Sequence, residues 1–235
     1  MELFFTSNID PVASFTLPED ESKHLIKVLR YGSGDKIALT DGSGKFYTAE
    51  IENTDPRHCQ VKVTGIYGKQ ADRTYHLHIA IAPPKNNERF EWFLEKTTEI
   101  GIDEITPLNC RRSERKELKP DRMNKILISA LKQSWNGKLP ILHPMTDFKK
   151  FMENQANGSR FICTMDADHS LADVYIPGKD ALILIGPEGD FHEEEIELAK
   201  KSGFIPVSLG NSRLRTETAG LMASAVLATM NAVTK

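Results

Sequence analysis

The feature that most constrains the fold of this chain is a regular alternation of strand-like and helix-like segments from Tyr75 onward. Parallel strands need long crossover connections, which are usually helical, so this alternation predicts an α/β domain whose mostly parallel sheet has helices on both faces. The predicted strands cover residues 77–82, 104–107, 160–164, 181–185 and 206–209. The predicted helices cover residues 88–100, 121–135, 146–155, 193–201 and 216–233.

Residues 1–70 follow a different pattern of short strands, at 36–40, 46–50 and 60–67, separated by glycine-containing turns. One helix, at 19–30, interrupts them and carries Lys23, Lys27 and Arg30 on one face. Many short strands with a single helix predict a small β-barrel. We therefore expect two domains, 1–70 and 74–235, joined by a polar linker at 68–73.

Composition limits the class of protein. The 235 residues are 40% hydrophobic and 27% charged, with a net charge of −3, which excludes a protein that coats nucleic acid through overall positive charge. Residues 111–125 are locally basic, with a net charge of +4, and on charge alone a solvated surface is the simpler interpretation. We expect a cytoplasmic protein without membrane attachment, because no apolar run is long enough to cross a bilayer and no secretory signal is evident.

Several common sites are missing from the sequence. There is no phosphate-binding P-loop, and no G-x-G-x-x-G segment follows a predicted strand. His76 and His78 alternate on a predicted strand and can face one side as metal ligands. Without a third ligand nearby in the sequence, we predict no metal site. The short acidic stretch 166–169 is better explained as a turn.

Two loops near the end of the chain are the best candidates for a binding site. A buried strand runs into the turn 186–189, and the next strand runs into 210–215, immediately before the last helix. In α/β proteins, ligands bind at the carboxyl ends of parallel strands. The two loops therefore predict a small-molecule pocket, and the small residues of the last helix allow another backbone to approach closely.

These loops carry a resemblance to a known family. The runs LILIGPEG and SLGNSRLRTETA resemble, nearly residue for residue, the signature of the RsmE family of SPOUT methyltransferases. Further similar segments are HLIKVLR, EKTTEIGIDEITP and ALKQS, so the resemblance covers most of the chain. It implies an N-terminal PUA-like barrel that grips RNA, a C-terminal SPOUT domain tied in a trefoil knot, and a homodimer.

The resemblance also implies a cofactor and a reaction, namely transfer of a methyl group from S-adenosylmethionine to N3 of a uridine in 16S rRNA of the small ribosomal subunit. Arg215 is the first candidate for a catalytic cation, with Arg30 second, and Glu217 is an available proton acceptor. The residues expected to bind the cofactor are Thr164, Gly186, Pro187, Glu188, Gly189, Leu209, Gly210, Leu214 and Arg215. Those expected to bind RNA are Lys23, Lys27, Arg30, Arg111, Arg112, Arg115 and Arg122.

The sequence departs from the family pattern at two places. Asp190 stands where family members often have a second glycine, and they tend to have a basic residue near Asn136, a role that Lys138 can take instead. Two alternatives stay open. One is another SPOUT activity, on a ribose 2′-oxygen or a guanosine, and the other is a non-catalytic RNA-binding assembly factor. A hydrolase built on Glu188 and Glu217 is a poor fit, because no suitable carboxylate spacing is evident.

Overall fold

A computed structural model describes residues 1–7, 9–69, 73–153 and 158–233. The chain divides into two compact units. The first comprises Met1–Asp72 together with Ile128–Leu139, and the second comprises Arg73–Leu127 with Pro140–Lys235. The sequence prediction placed 128–139 in the second domain, whereas the structure packs this segment with the first unit. The predicted linker falls partly outside the described residues, at 70–72.

The first unit is built on a five-stranded sheet in the order β1-β3-β4-β5-β2. Only the β1–β3 pair is parallel, and the other neighbours are antiparallel. Phe4, Leu25 and Leu39 are among the side chains fully buried in its core. The strands are β1 (Leu3–Phe5), β2 (Ser14–Thr16), β3 (Lys36–Thr40), β4 (Lys45–Ile51) and β5 (Gln60–Lys69).

The helix predicted at 19–30 is shorter and changes type. Helix α1 spans Glu19–Lys23 and continues as a π-helical turn over His24–Val28. The backbone then leaves the helical region, and Arg30 has φ +59°, a left-handed conformation that non-glycine residues seldom adopt. The wide turn and the left-handed residue thus come directly after α1, and π-helical turns often mark functional segments.

The second unit is built on a seven-stranded sheet that is parallel throughout its described pairs, which confirms the predicted mostly parallel α/β fold. The order is β12-β10-β11-β6-β7-β8, with β9 also paired to β7. Its strands are β6 (Leu77–Ile81), β7 (Glu104–Asn109), β8 (Ile141–Leu142), β9 (Thr146–Asp147), β10 (Ser159–Cys163), β11 (Ala181–Ile185) and β12 (Ile205–Val207).

In the second unit, a helix follows each strand along the chain except β8, which is followed directly by β9. One helix, α3 (Pro120–Ser134), belongs to both units, because it begins in the second unit and ends in the first. The helices are α2 (Asn87–Ile100), α3 (Pro120–Ser134), α4 (Phe148–Glu153), α5 (Leu171–Val174), α6 (Glu193–Lys201) and α7 (Thr216–Val233).

Local sequence explains where these helices start and stop. The Asn86 side chain caps α2 by accepting a hydrogen bond from the Glu88 amide, and Gly101 ends it at φ +105°. The helix predicted at 146–155 starts only at Phe148, because Thr146–Asp147 pairs with β7 as strand β9, and its predicted end lies outside the described residues.

No described helix combines the length and apolar character that crossing a membrane requires.

Helix α7 packs its small residues inside its own unit. A Cβ atom added to Gly220 would lie 2.5 Å from the Phe93 ring on α2 and 3.1 Å from Ile81 on β6. Ala223 and Ser224 on the same face are also fully buried. The close backbone approach that these residues allow is therefore used at least in part for packing α7 against α2.

Candidate functional site

The largest concentration of predicted site residues lies in a cavity of about 480 Å³ at the carboxyl ends of β10, β11 and β12. Its size falls in the range of ordinary small-molecule sites. The wall combines apolar side chains with charged ones of both signs. The lining residues are Cys163, Thr164, Met165, Ile185, Gly186, Pro187, Glu188, Asp190, Leu209, Gly210, Ser212, Arg213, Leu214, Arg215, Thr216 and Ala219.

The fold brings together eight of the nine residues predicted to bind the cofactor. Thr164 lies at the end of β10, three of the eight follow β11, and four follow β12. The eight are Thr164, Gly186, Pro187, Glu188, Leu209, Gly210, Leu214 and Arg215. Gly189, the ninth, does not line the cavity, and its nearest side-chain neighbour is Arg112, 3.7 Å from the position of an added Cβ.

Three side chains fix the loop after β11. The Thr216 hydroxyl donates a hydrogen bond to the Gly186 carbonyl at 3.1 Å, which ties the loop to the start of α7. The Arg112 guanidinium donates to the Gly189 and Phe191 carbonyls at 2.7 and 3.2 Å. Arg89, on α2, donates to the Glu188 carboxylate at 3.1 Å. The shape of this wall is thus determined before any ligand binds.

Gly186 and Asp190 have backbone reasons for their identity. A Cβ on Gly186 would lie 3.0–3.1 Å from the ring and amide of Phe191, so a side chain there requires Phe191 to shift by a few tenths of an ångström. Asp190 has φ +62°, which explains in physical terms why glycine suits this position. Its carboxylate accepts a hydrogen bond from the Phe191 amide, and burial beside the cavity raises its pKa.

The second loop supplies the site's exposed cations. Gly210 has φ +109° and open space around it, so its conformation, not crowding, favours glycine. Arg213 and Arg215 line the cavity, and within the described part of the chain neither side chain forms a hydrogen bond or ion pair. Glu217, only two residues along the chain from Arg215, is directed toward Arg89 instead.

Glu217 lies outside the cavity lining and is 6% exposed. Its Oε1 atom is 3.8 Å from Arg89 Nε, and its Oε2 atom has no hydrogen-bond partner among the described residues. A buried carboxylate held by an arginine is poorly placed to accept a proton from a ligand in the cavity. The arrangement instead connects α2, α7 and the loop at Glu188 through a single guanidinium.

The four arginines predicted to bind RNA from the basic segment all have partners within the second unit. Arg112 binds the loop carbonyls described above, and Arg115 donates to the carbonyls of Pro84 and Lys85. Arg111 pairs with Glu194 at 3.1 Å, and Arg122 pairs with Glu91 at 2.6 Å. Arg111 and Arg122 nevertheless remain largely exposed. In the first unit, Lys23, Lys27 and Arg30 keep substantial solvent exposure, and Lys23 pairs with Glu19 one turn away.

A second cavity, also of about 480 Å³, lies at the amino ends of β6, β7 and β11. It contains His78, Glu104 and His143, whose ligand atoms all lie within 4.8 Å of one another. Sequence reasoning found His78 but missed the other two, because they come from segments much farther along the chain. Their proximity follows from the parallel registers of β6 with β7 and of β7 with β8.

The residues around the first cavity suit S-adenosylmethionine, the cofactor that the resemblance implies. That molecule carries a sulfonium, an ammonium and a carboxylate group, and the lining offers the Glu188 and Asp190 carboxylates together with the Arg213 and Arg215 guanidiniums. Leu209, Leu214 and Ala219 supply apolar surface of the kind that packs against an adenine ring. The donor set of this cavity contains no group of metal ligands, since the one cluster found among the described residues lies at the amino ends of the strands.

Comparison with known proteins identifies both parts of the chain. The sequence profile of an RNA methyltransferase domain family matches residues 71–228, and that of an RNA methyltransferase PUA domain matches residues 17–64. The ribosomal RNA small subunit methyltransferase E of Buchnera aphidicola is 30% identical over 92% of this chain and 88% of its own length. The protein of the same name from Synechocystis is 30% identical over 94% of this chain and 74% of its own length.

Solved structures agree with these matches. A probable rRNA methyltransferase from Porphyromonas gingivalis superposes with a TM-score of 0.92 and 42% identity over the full length of both chains. The ribosomal RNA small subunit methyltransferase E of Neisseria gonorrhoeae, solved bound to S-adenosyl methionine, gives 0.90 and 26% identity over 98% of both chains. This chain therefore belongs to the ribosomal RNA small subunit methyltransferase E family of RNA methyltransferases.

Proposed function

We propose that this protein transfers a methyl group from S-adenosylmethionine to N3 of a uridine in 16S rRNA. The observation that carries the proposal is the cavity at the carboxyl ends of β10–β12, where eight of the nine residues expected to bind the cofactor converge, the exposed Arg215 among them. Relatives over most of the chain are named as small-subunit rRNA methyltransferases, and the Neisseria gonorrhoeae protein of that family was solved with S-adenosyl methionine.

The cofactor-binding roles divide between backbone and side chains. We assign main-chain contacts with the cofactor to Gly186–Glu188 and to the turn at Leu209–Gly210, and apolar contacts to Leu214 and Ala219. Arg89 and Arg112 do not line the cavity and act as positioning residues, because they hold the loop through Glu188 and through the Gly189 and Phe191 carbonyls.

When bound, S-adenosylmethionine supplies a methyl group already activated by its sulfonium, so the reaction needs no metal ion. The uracil imide must lose its N3 proton before or during formation of the new N–CH₃ bond, and the negative charge that develops is shared by the ring oxygens. Arg215 offsets this charge, since its guanidinium has no partner among the described residues and lies at the cavity. Glu217 is buried against Arg89, so we assign the proton to water and give Glu217 a positioning role.

RNA binding is assigned to two basic surfaces. Lys23, Lys27 and Arg30 form the basic face of the first unit, which the PUA domain match covers. In the second unit, Arg111 pairs with the exposed Glu194, and such pairs contribute little stability, so its guanidinium can exchange onto a phosphate. Arg122 is itself exposed and is assigned to the same surface, although its partner Glu91 is largely buried.

Two further arginines of the basic segment are assigned a structural role. Arg112 and Arg115 hold main-chain carbonyls and are assigned a structural role at the basic surface. The trefoil knot and the homodimer remain predictions from the family resemblance, and the cytoplasmic location remains a prediction from the sequence itself.

Nucleoside mass spectrometry of 16S rRNA from a deletion strain tests the proposal. The expected result is loss of one N3-methyluridine, its return with the wild-type gene, and no return with Arg215→Ala. Loss of a 2′-O-methyl or a methylguanosine would establish another methyl-transfer specificity. An unchanged nucleoside profile, with binding of 16S rRNA intact, would identify a non-catalytic RNA-binding protein.

A further inference from the structure

We propose that His78, Glu104 and His143 form a binding site for one divalent transition-metal ion of the Zn²⁺ type, at the edge of the sheet opposite the methyltransferase cavity. Two imidazole nitrogens and one carboxylate oxygen converge there within 4.8 Å of one another. This donor set is typical of Zn²⁺ sites that keep a further position open. The proposal is independent of the methyl-transfer reaction.

The site is built on the regular backbone of the sheet. Strand β6 carries His78 and β7 carries Glu104, and these two residues are direct partners in the parallel register, so their side chains project from the same face. His143 follows β8, and its amide donates to the Ile105 carbonyl at 2.9 Å. All three ligand-bearing backbones are therefore fixed by sheet hydrogen bonds, which is how a preorganised metal site is constructed.

Existing contacts show that the donors already point toward one another. His143 Nε2 lies 2.5 Å from one Glu104 oxygen, and His76 Nε2 lies 3.1 Å from the other. The rings of His78 and His143 have centroids 5.5 Å apart. Ligand atoms bonded to one tetrahedral Zn²⁺ at about 2.0–2.2 Å lie roughly 3.4 Å apart. Small side-chain rotations therefore suffice for the three donors to enclose an ion.

The surroundings resemble those of known metal sites. His78 Nε2 is 2.8 Å from the Thr106 hydroxyl, and the Phe151 ring packs edge-on against His78. A hydrogen-bonding partner for a ligand and an apolar neighbour are what usually orient metal-bound histidines. His76, whose Nε2 atom lies 3.1 Å from Glu104 Oε1, is a candidate for the same supporting role. All three residues line the second cavity, whose Arg160 guanidinium is directed to the Ser202 carbonyl.

The donor chemistry selects the class of ion. Imidazole nitrogen binds Zn²⁺, Co²⁺ and Ni²⁺ well, whereas Mg²⁺ and Ca²⁺ prefer oxygen ligands. An ion held here would link β6 and β7 to His143, the residue after β8. Strand β8 itself is only two residues long. Its expected effect is to hold the chain where it re-enters the second unit after Leu139.

Cobalt titration of the tag-free apoprotein is the first experiment. We expect the visible d–d absorption of four- or five-coordinate Co²⁺ to develop to one equivalent, and Zn²⁺ but not Mg²⁺ to displace it. His143→Gln and Glu104→Gln should each weaken Co²⁺ binding by more than about 100-fold, since even residues behind a metal ligand contribute roughly 10–100-fold. His58→Gln, an exposed histidine beside Asp55 in the first unit, is the matched control and should bind as the wild type does.

Far-UV circular dichroism establishes that the variants are folded. X-ray absorption of the cobalt-loaded wild type provides a readout that needs no variant, and we expect two imidazoles together with oxygen ligands. Absence of Co²⁺ and Zn²⁺ binding to the wild type would overturn the proposal and leave the cluster as a hydrogen-bonded polar group. Unchanged affinity in folded His143→Gln, or a cobalt spectrum without imidazole, would overturn it as well.

Discussion

The carboxyl ends and the amino ends of the parallel strands form two opposite edges of the sheet, and each edge carries a cavity of about 480 Å³. The two cavities are built in opposite ways. At the carboxyl edge, loops shape the wall, glycines and main-chain groups form much of it, and side chains such as Arg112 act from behind. At the amino edge, strands carry the functional side chains directly, and the Glu104 carboxylate lies among three imidazoles. The first design recognises an extended molecule by shape. The second offers a few donors to something as small as an ion.

This difference implies different sensitivities to mutation. A backbone-shaped site fails when a loop is displaced, whereas a donor-based site fails when one ligand atom is removed. Substitutions that separate these two behaviours test whether the contrast is real.

The largest effect is expected from Arg215→Ala. Removing a cation that stabilises charge only in the transition state should lower kcat by roughly 10²–10³, while the Kd for S-adenosylmethionine changes little. Arg215→Lys should recover part of the rate, because an ammonium lacks the planar fork. Single-turnover kinetics at saturating cofactor, with calorimetric Kd values, measures both quantities.

Arg213→Ala is the matched comparison, because Arg213 also lines the cavity without a hydrogen bond or ion pair among the described residues. A larger kcat loss in Arg213→Ala than in Arg215→Ala would transfer the catalytic role to Arg213. A loss in Arg215→Ala confined to cofactor affinity would make that residue a binding group.

Gly186→Val should weaken S-adenosylmethionine binding by about 100-fold, or about 2.7 kcal/mol, because its branched side chain must displace Phe191 and with it the loop. Gly186→Ala should lose less, since only one methyl group meets the ring. Cobalt binding at the amino edge should persist in both variants. Wild-type cofactor affinity in folded Gly186→Val would show that this loop does not form the binding wall.

Arg112→Ala should weaken cofactor binding by about tenfold, because two charge-assisted hydrogen bonds to the loop carbonyls are lost at a distance from the ligand. Arg111→Ala removes an arginine of the same basic segment that pairs with an exposed glutamate, and it should change affinity by less than about twofold. Calorimetry on the two variants measures the difference. Equal losses would assign the effect to general charge and not to loop positioning.

The smallest effect is expected at Asp190. Asp190→Ala and Asp190→Gly both remove the hydrogen bond to the Phe191 amide, so their difference isolates the cost of φ +62°. We expect the glycine variant to have a free energy of unfolding about 1 kcal/mol larger than that of the alanine variant. Urea denaturation measures this difference, and equal stabilities would show that the turn relaxes when the carboxylate is removed.

Much of the second unit was predictable because its signals are local. The strand at 181–185 is a continuous apolar run. Helix α2 is directly preceded by a capping asparagine and directly followed by a terminal glycine. The cofactor cavity could also be predicted from the sequence, since its walls come mainly from two contiguous motifs at the ends of strands. Glycine-containing turns directly after apolar strands are visible in a sequence before the fold is known.

The features that escaped prediction depend on contacts between distant segments. His143 lies far beyond His78 along the chain, and only the strand order places it beside Glu104. The partners of the basic segment were equally invisible, because Arg112 binds carbonyls that are remote in sequence. The π-helical turn at His24–Val28 was missed since its sequence has an ordinary helical apolar pattern.

The division of helix α3 has a consequence for how the protein is made. The first unit includes Ile128–Leu139, where Lys132 pairs with the buried Glu21 at 2.6 Å and the Leu139 amide bonds to the Gly42 carbonyl. During synthesis, the amino-terminal unit cannot complete its contacts until Leu139 has left the ribosome, although Met1–Asp72 already forms most of its sequence. Domains that emerge first usually fold first. Here the amino-terminal unit stays incompletely folded on the ribosome while Arg73–Leu127 of the other unit is translated.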